Sequence, residues 1–107
     1  MTLREWLDAR HPAPPPVLAV RLHALLGERA TASASEASDA CLAAGEALLA
    51  RLLREGCVAR DTALDLLAAD ALVTYAFEAA AADPATLQER AERAMGRIAS
   101  IADVAGA

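Results

Sequence analysis

Between Leu64 and Phe77 the chain places Leu64, Leu66, Leu67, Leu72, Val73, Tyr75 and Phe77 within fourteen residues, and this density limits what the rest can build. The stretch from Asp61 to Ala82 reads as one central helix. At about 100° per residue, Leu66, Val73 and Phe77 make one stripe, and Leu64, Ala71 and Tyr75 make a second on roughly the opposite side, joined by Leu72. A helix that is apolar on two sides has to be covered on two sides. Other elements of the chain, or a second copy of it, must supply both covers.

The covers are predicted to be helices too. Of 107 residues thirty are Ala, while β-branched and aromatic residues are scarce, which favours helix over strand throughout. The absence of Lys and Asn, with all ten basic residues Arg, also suits a GC-rich bacterial genome. A chain of this length holds one core. The expected fold is therefore a single all-α domain over 1–107: an N-terminal helical arm at 1–11, a Pro-rich spacer at 12–16, an antiparallel four-helix bundle with short links at 17–103, and a frayed tail at 104–107.

The arm begins with Thr2-Leu3-Arg4-Glu5, which has the form of a capping box, and Leu3, Trp6 and Leu7 fall on one face. Pro12 ends it, and Pro14-Pro15-Pro16 favours an extended segment that holds the arm away from the next helix. That leaves Leu3, Trp6 and Leu7 two destinations, the chain's own bundle or a second subunit.

The second helix, 17–28, turns Leu18, Leu22, Leu25 and Leu26 to the core, with Val17, Val20 and Ala24 widening that face and Arg21 and Glu28 on the wet side. His23 stands alone on it. The third, 33–56, opens with a second capping box at Ser33 and Glu36. Its first half offers Ala37, Ala40, Cys41, Ala44, Gly45 and Ala47, small enough for two backbones to approach closely, and its second half offers leucines. Gly56 marks its C-terminus, and Arg51 and Arg54 complement the dipole there.

Cys57 and Val58 follow that cap, and Asp61 is expected to cap the central helix. Asp61 and Asp65 together suit its positive N-terminal end. If Cys41 and Cys57 lay on one straight helix they would be about 24 Å apart, too far for a disulfide. Pro84 starts the last helix, where Leu87, Ala91, Ala94, Met95, Ile98, Ile101 and Ala102 keep one face apolar and Arg90, Arg93 and Arg97 share an exposed arc.

Asp70 draws attention because it projects between Phe77 and Thr74 as a formal charge in apolar surroundings. A buried carboxylate needs a partner, so an ion pair with Arg21 or a hydrogen bond to the Tyr75 hydroxyl of a partner chain is one reading. An exposed position is another, and a ligand pocket built by Asp70, Tyr75 and His23 is the third.

The search for chemistry finds no phosphate-binding glycine loop, no H-E-x-x-H, no C-x-x-C and no Glu-x-x-His of the di-iron bundles. The acidic pairs Glu36 with Asp39 and Glu89 with Glu92 carry fewer carboxylates than the paired acidic helices of all-α nucleotide pyrophosphohydrolases, so no resemblance is drawn. No catalytic residue, metal or cofactor is implied. A net charge of −5 disfavours nucleic acid, although Arg90, Arg93 and Arg97 could grip phosphate, and it disfavours anionic membranes. With no apolar run of about 20 residues and no signal-peptide pattern, the expected location is cytoplasmic. The leading functional expectation is a non-enzymatic homodimeric interaction module, with Leu3, Trp6, Leu7 and Phe77 as interface candidates and a protein partner open. The rival is a small-ligand or metal-assisted enzyme with its pocket around Asp70.

Overall fold

A computed structural model describes residues 1–56, 60–82 and 84–106, without the side chains at 60, 61, 84–87, 90, 105 and 106. Cys57 and Val58, Asp83 as the expected N-cap of the last helix, and the side chains of Asp61, Leu87 and Arg90 lie outside that description. The fold is all-α. Its helices are α1 (Leu3–Asp8), α2 (Pro16–Leu26), α3 (Ala37–Glu55), α4 (Arg60–Ala81) and α5 (Pro84–Gly106), with short 3₁₀ turns at Gly27–Thr31 and Ala34–Glu36. Among the described residues there is no strand, only a bridge between Thr2 and Ser33.

The capping box of α1 is present. Glu5 N donates to Thr2 Oγ1 at 3.2 Å, while Thr2 N and Thr2 Oγ1 donate to Glu5 Oε1 at 3.1 and 3.0 Å, and the two bonds to Oε1 hold the Glu5 carboxyl below its usual range. Two further backbone bonds pin the arm: Leu3 N to Ala32 O at 2.8 Å and Ala34 N to Met1 O at 2.9 Å. Leu3 and Leu7 are thereby sunk into the chain's own core. The proline spacer does not hold α1 away from α2, because Asp8 Oδ1 lies 2.9 Å from His23 Nε2. Extended residues span distance, but the backbone pins at 1–3 decide where the arm returns.

Trp6 and Tyr75 of α4 pack in a T-shaped pair with centroids 6.3 Å apart, and the Arg10 guanidinium lies over the Trp6 ring 4.0 Å from its centre. Trp6→Ala is expected to cost about 1.5 kcal/mol in chemical denaturation, less than for a fully buried ring. With the arm on its own bundle, that loss is independent of protein concentration. A loss that grows on dilution would instead place the arm on a second subunit.

Local chemistry moved two predicted boundaries. The third helix starts at Ala37 rather than Ser33, because the Ser33 hydroxyl accepts from Ser35 N and bonds the Ser35 hydroxyl, which favours a 3₁₀ turn over a helical first turn. The second helix stops at Gly27, whose φ of +54° breaks the helical run. Gly56, with φ +82° and its N–H bonded to Leu52 O at 2.9 Å, ends α3 as predicted.

The largest revision concerns α4. Its buried line is Ala68, Ala69, Leu72, Ala76 and Ala80, and the two stripes of large residues lie on either shoulder of that line. Val73 and Phe77 are half-buried on one shoulder, and Leu64, Ala71 and Tyr75 on the other. Opposite Leu72 the helix is open: Ala63, Leu67, Asp70, Thr74 and Glu78 are exposed. One broad cover therefore suffices. It consists chiefly of α3, which makes the most extensive contact, with α2 and α5 beside it. The alanines let α3 approach so closely that a Cβ on Gly45 would stand 3.3 Å from both Leu72 Cβ and Val73 Cγ2.

Val17 and Val20, expected to widen the core face of α2, are 68% and 71% exposed. They project about 140–160° from Leu22, too far round to reach α4 or the arm. Met95 and Ala102 of α5 are exposed for a similar reason, since the buried line there centres on Ala94. The last helix is also regular through Gly106, past the point where fraying was expected.

Candidate functional site

With Glu46, Asp65 is one of two carboxylates that the fold encloses among the described residues. At 100° per residue it projects only about 20° from Leu72, so α4 carries it into the seam with α2 and α3. Arg21 of α2 donates to it twice, Nε to Oδ1 at 2.6 Å and Nη2 to Oδ2 at 3.1 Å. Arg51 of α3 donates Nη2 to Oδ2 at 2.6 Å. The Asp65 side chain is 13% exposed, so these charge-assisted bonds replace most of its water. The Arg21 hydrogen bond, aided by the Arg21 and Arg51 charges, holds the carboxyl below the usual carboxylate range against the opposing effect of burial, and the same bond raises Arg21.

Both carboxylate oxygens are committed and the group is held ionised, so Asp65 is poorly suited to taking a proton from a substrate. What the triad does is join three helices. Its charges sum to a surplus of one cation, and Arg51 keeps a buried Nε with no acceptor among the described residues.

A second pair joins α3 to α5. Arg97 Nη2 lies 2.8 Å from Glu46 Oε2, while Glu46 Oε1 is buried without a partner among the described residues. Arg97 is thus drawn out of the arginine arc predicted for the solvated face of α5. With Arg93, Asp39 and Phe77 it lines a cleft of about 50 Å³, a space for a few waters rather than a metabolite.

The residues proposed for a ligand pocket are dispersed. Asp70 is exposed on the open side of α4 and projects about 140° from Tyr75. Tyr75 is half-buried beneath Trp6, and burial, with the Glu78 charge beside it, raises its hydroxyl pKa. His23 is committed to Asp8. Arg21, the partner foreseen for Asp70, serves Asp65 instead. Of the interface candidates, Leu3 and Leu7 are enclosed by their own chain, whereas Trp6 and Phe77 are half-buried against the core. Cys41 is buried, which pushes its thiol up to about 11 and leaves it inert at neutral pH.

One surface feature does stand out. The outward arc of α2 carries Val17, Val20 and Ala24, all exposed, with no charged side chain between them. Outside Arg21 and His23 the helix is apolar, and its buried residues, Leu22 and Leu26, lie on the side away from that arc. Leu66 and Leu67 of α4 are also exposed, at 41% and 59%, with Leu67 on the open side of that helix. No protein-family model, curated protein or solved structure matches the chain, so this geometry is the ground for any functional reading.

Proposed function

We propose that the protein is a non-enzymatic interaction module. In this reading it is an antiparallel four-helix bundle with its arm packed in place, and it pairs with a second cytoplasmic copy through the outer face of α2. The observation that carries the reading is the uncharged arc of Val17, Val20 and Ala24, with both valines about as exposed as surface residues. Contiguous apolar surface on a small domain favours association because pairing removes it from water. A twofold pairing would place Val20 near its own counterpart and use the same patch on both subunits. The committed state of Asp65 and the dispersal of Asp70, Tyr75 and His23 weigh on the same side, since neither leaves a group poised for chemistry.

Sedimentation equilibrium tests this directly. The wild-type chain is expected to be dimeric at micromolar concentration. Val20→Glu is expected to weaken the dimer by about 100-fold or more, because each interface would then bury two unpaired carboxylates. Its thermal unfolding as a monomer should match that of the wild-type monomer, since Val20 supports nothing in the core. A wild-type chain that stays monomeric throughout, or a V20E chain that dimerises as before, would overturn the reading.

A further inference from the structure

Between α2 and α3 runs a groove that the dimer reading leaves unused. Its floor is apolar: Leu25 of α2 with Leu48 and Ala44 of α3, the latter two buried. Its rim is cationic, formed by Arg29, Arg51 and Arg54. Among the described residues no acidic side chain lines it, although the chain as a whole carries −5. Arg51 spends one Nη2 on Asp65, and its Nε is buried without an acceptor. Arg29 and Arg54 are exposed and have no carboxylate partner among the described residues.

What sets this place apart is that Arg29 and Arg54 converge on one groove with a third arginine, Arg51, that is only half used. Cations of one sign over a low-dielectric floor concentrate anions, and guanidinium groups match the planar fork of a carboxylate. The floor adds a second requirement that a bare inorganic anion would not exploit. With a volume of about 260 Å³, the groove falls just below the range of about 300–1,000 Å³ that accommodates drug-sized ligands.

We infer that this groove binds a small organic acid, a carboxylate carrying a short aliphatic chain. The carboxylate sits between Arg29 and Arg54 beside Arg51, and the chain lies on Leu25 and Leu48. No covalent step is involved.

Isothermal titration of the intact protein with sodium octanoate, and in parallel with inorganic phosphate, tests the assignment. Octanoate is expected to bind saturably, one per chain, with a Kd below about 1 mM, and phosphate at least about tenfold more weakly. The double variant R29A/R54A should weaken octanoate by about tenfold or more while melting like the wild type, because both side chains are exposed. V20E should bind octanoate unchanged, which separates this site from the dimer face. Absence of saturation at about 10 mM octanoate, or wild-type binding by R29A/R54A, would overturn the proposal. Phosphate binding as tight as octanoate would overturn the organic-acid class, and loss of octanoate binding in V20E would move the ligand to α2 and overturn the groove.

Discussion

Gly45→Leu is expected to destabilise the fold by about 3 kcal/mol or more, which for a domain of this size lowers Tm by more than about 10 °C. At this position α3 lies against the alanine line of α4. A Cβ there would meet Leu72 Cβ and Val73 Cγ2 at 3.3 Å and Ala69 O at 3.7 Å. Leu72 is fully buried and its Cβ is fixed to backbone, so it cannot swing aside as a chain end could. A leucine must therefore push the two helices apart along their most extensive contact.

Gly45→Ala is a finer test of the same geometry. Alanine gains about 1 kcal/mol of helix propensity over glycine, and here that gain is set against a displacement of a few tenths of an ångström. The two should nearly cancel. Gly96 of α5 has nothing within 4 Å of its added Cβ, so Gly96→Ala should stabilise by up to about 1 kcal/mol. Equilibrium urea denaturation followed by circular dichroism distinguishes these cases. If Gly45→Leu came within 1 kcal/mol of wild type, α3 and α4 could not be packed this closely.

The close approach at Gly45 was legible because its signal is local: small residues at helical spacing in the first half of α3. The caps at Thr2 and Gly56 were legible for the same reason, each being a short-range pattern that its own backbone satisfies. The centre of α4 is not legible in the same way, because large side chains weigh most in an apolar stripe. The residues most deeply buried there are alanines, which carry little weight singly yet permit the tightest packing. Asp70 and Asp65 exchanged roles as a result. With the stripes taken as buried, Asp70 lay beside one of them; with Leu72 as the centre, Asp70 is outside and Asp65 within. The signal for Asp65 was present, since Asp65, Ala69, Leu72 and Ala76 follow i, i+4, i+7 and i+11. It does not single Asp65 out, because an acid in the first turns of a helix already has an explanation in the dipole. Its partners Arg21 and Arg51 lie 44 and 14 residues away, separations that helical periodicity does not address.

That enclosed carboxylate leads to the second expected result. Asp65→Asn should cost about 2–3 kcal/mol at pH 7. This is below the figure for a fully buried pair, because Arg21 and Arg51 are 31% and 39% exposed and water screens part of the interaction. An amide can accept one of the arginine bonds but brings no charge, so the two guanidinium groups would face each other across a neutral group. The pH dependence fixes the origin of the loss. Asp65 has its folded-state pKa lowered, so its contribution is fully present above the unfolded value of about 3.9 and disappears as pH falls through the lower folded value. The stability gap between wild type and D65N should therefore be constant from about pH 5 to 7 and close below about pH 4. Arg21→Ala should cost more than Arg51→Ala, since Arg21 makes two of the three bonds. If the gap persisted unchanged into acid, the effect of D65N would be one of packing, and the ion triad would not be what ties α2 and α3 to α4.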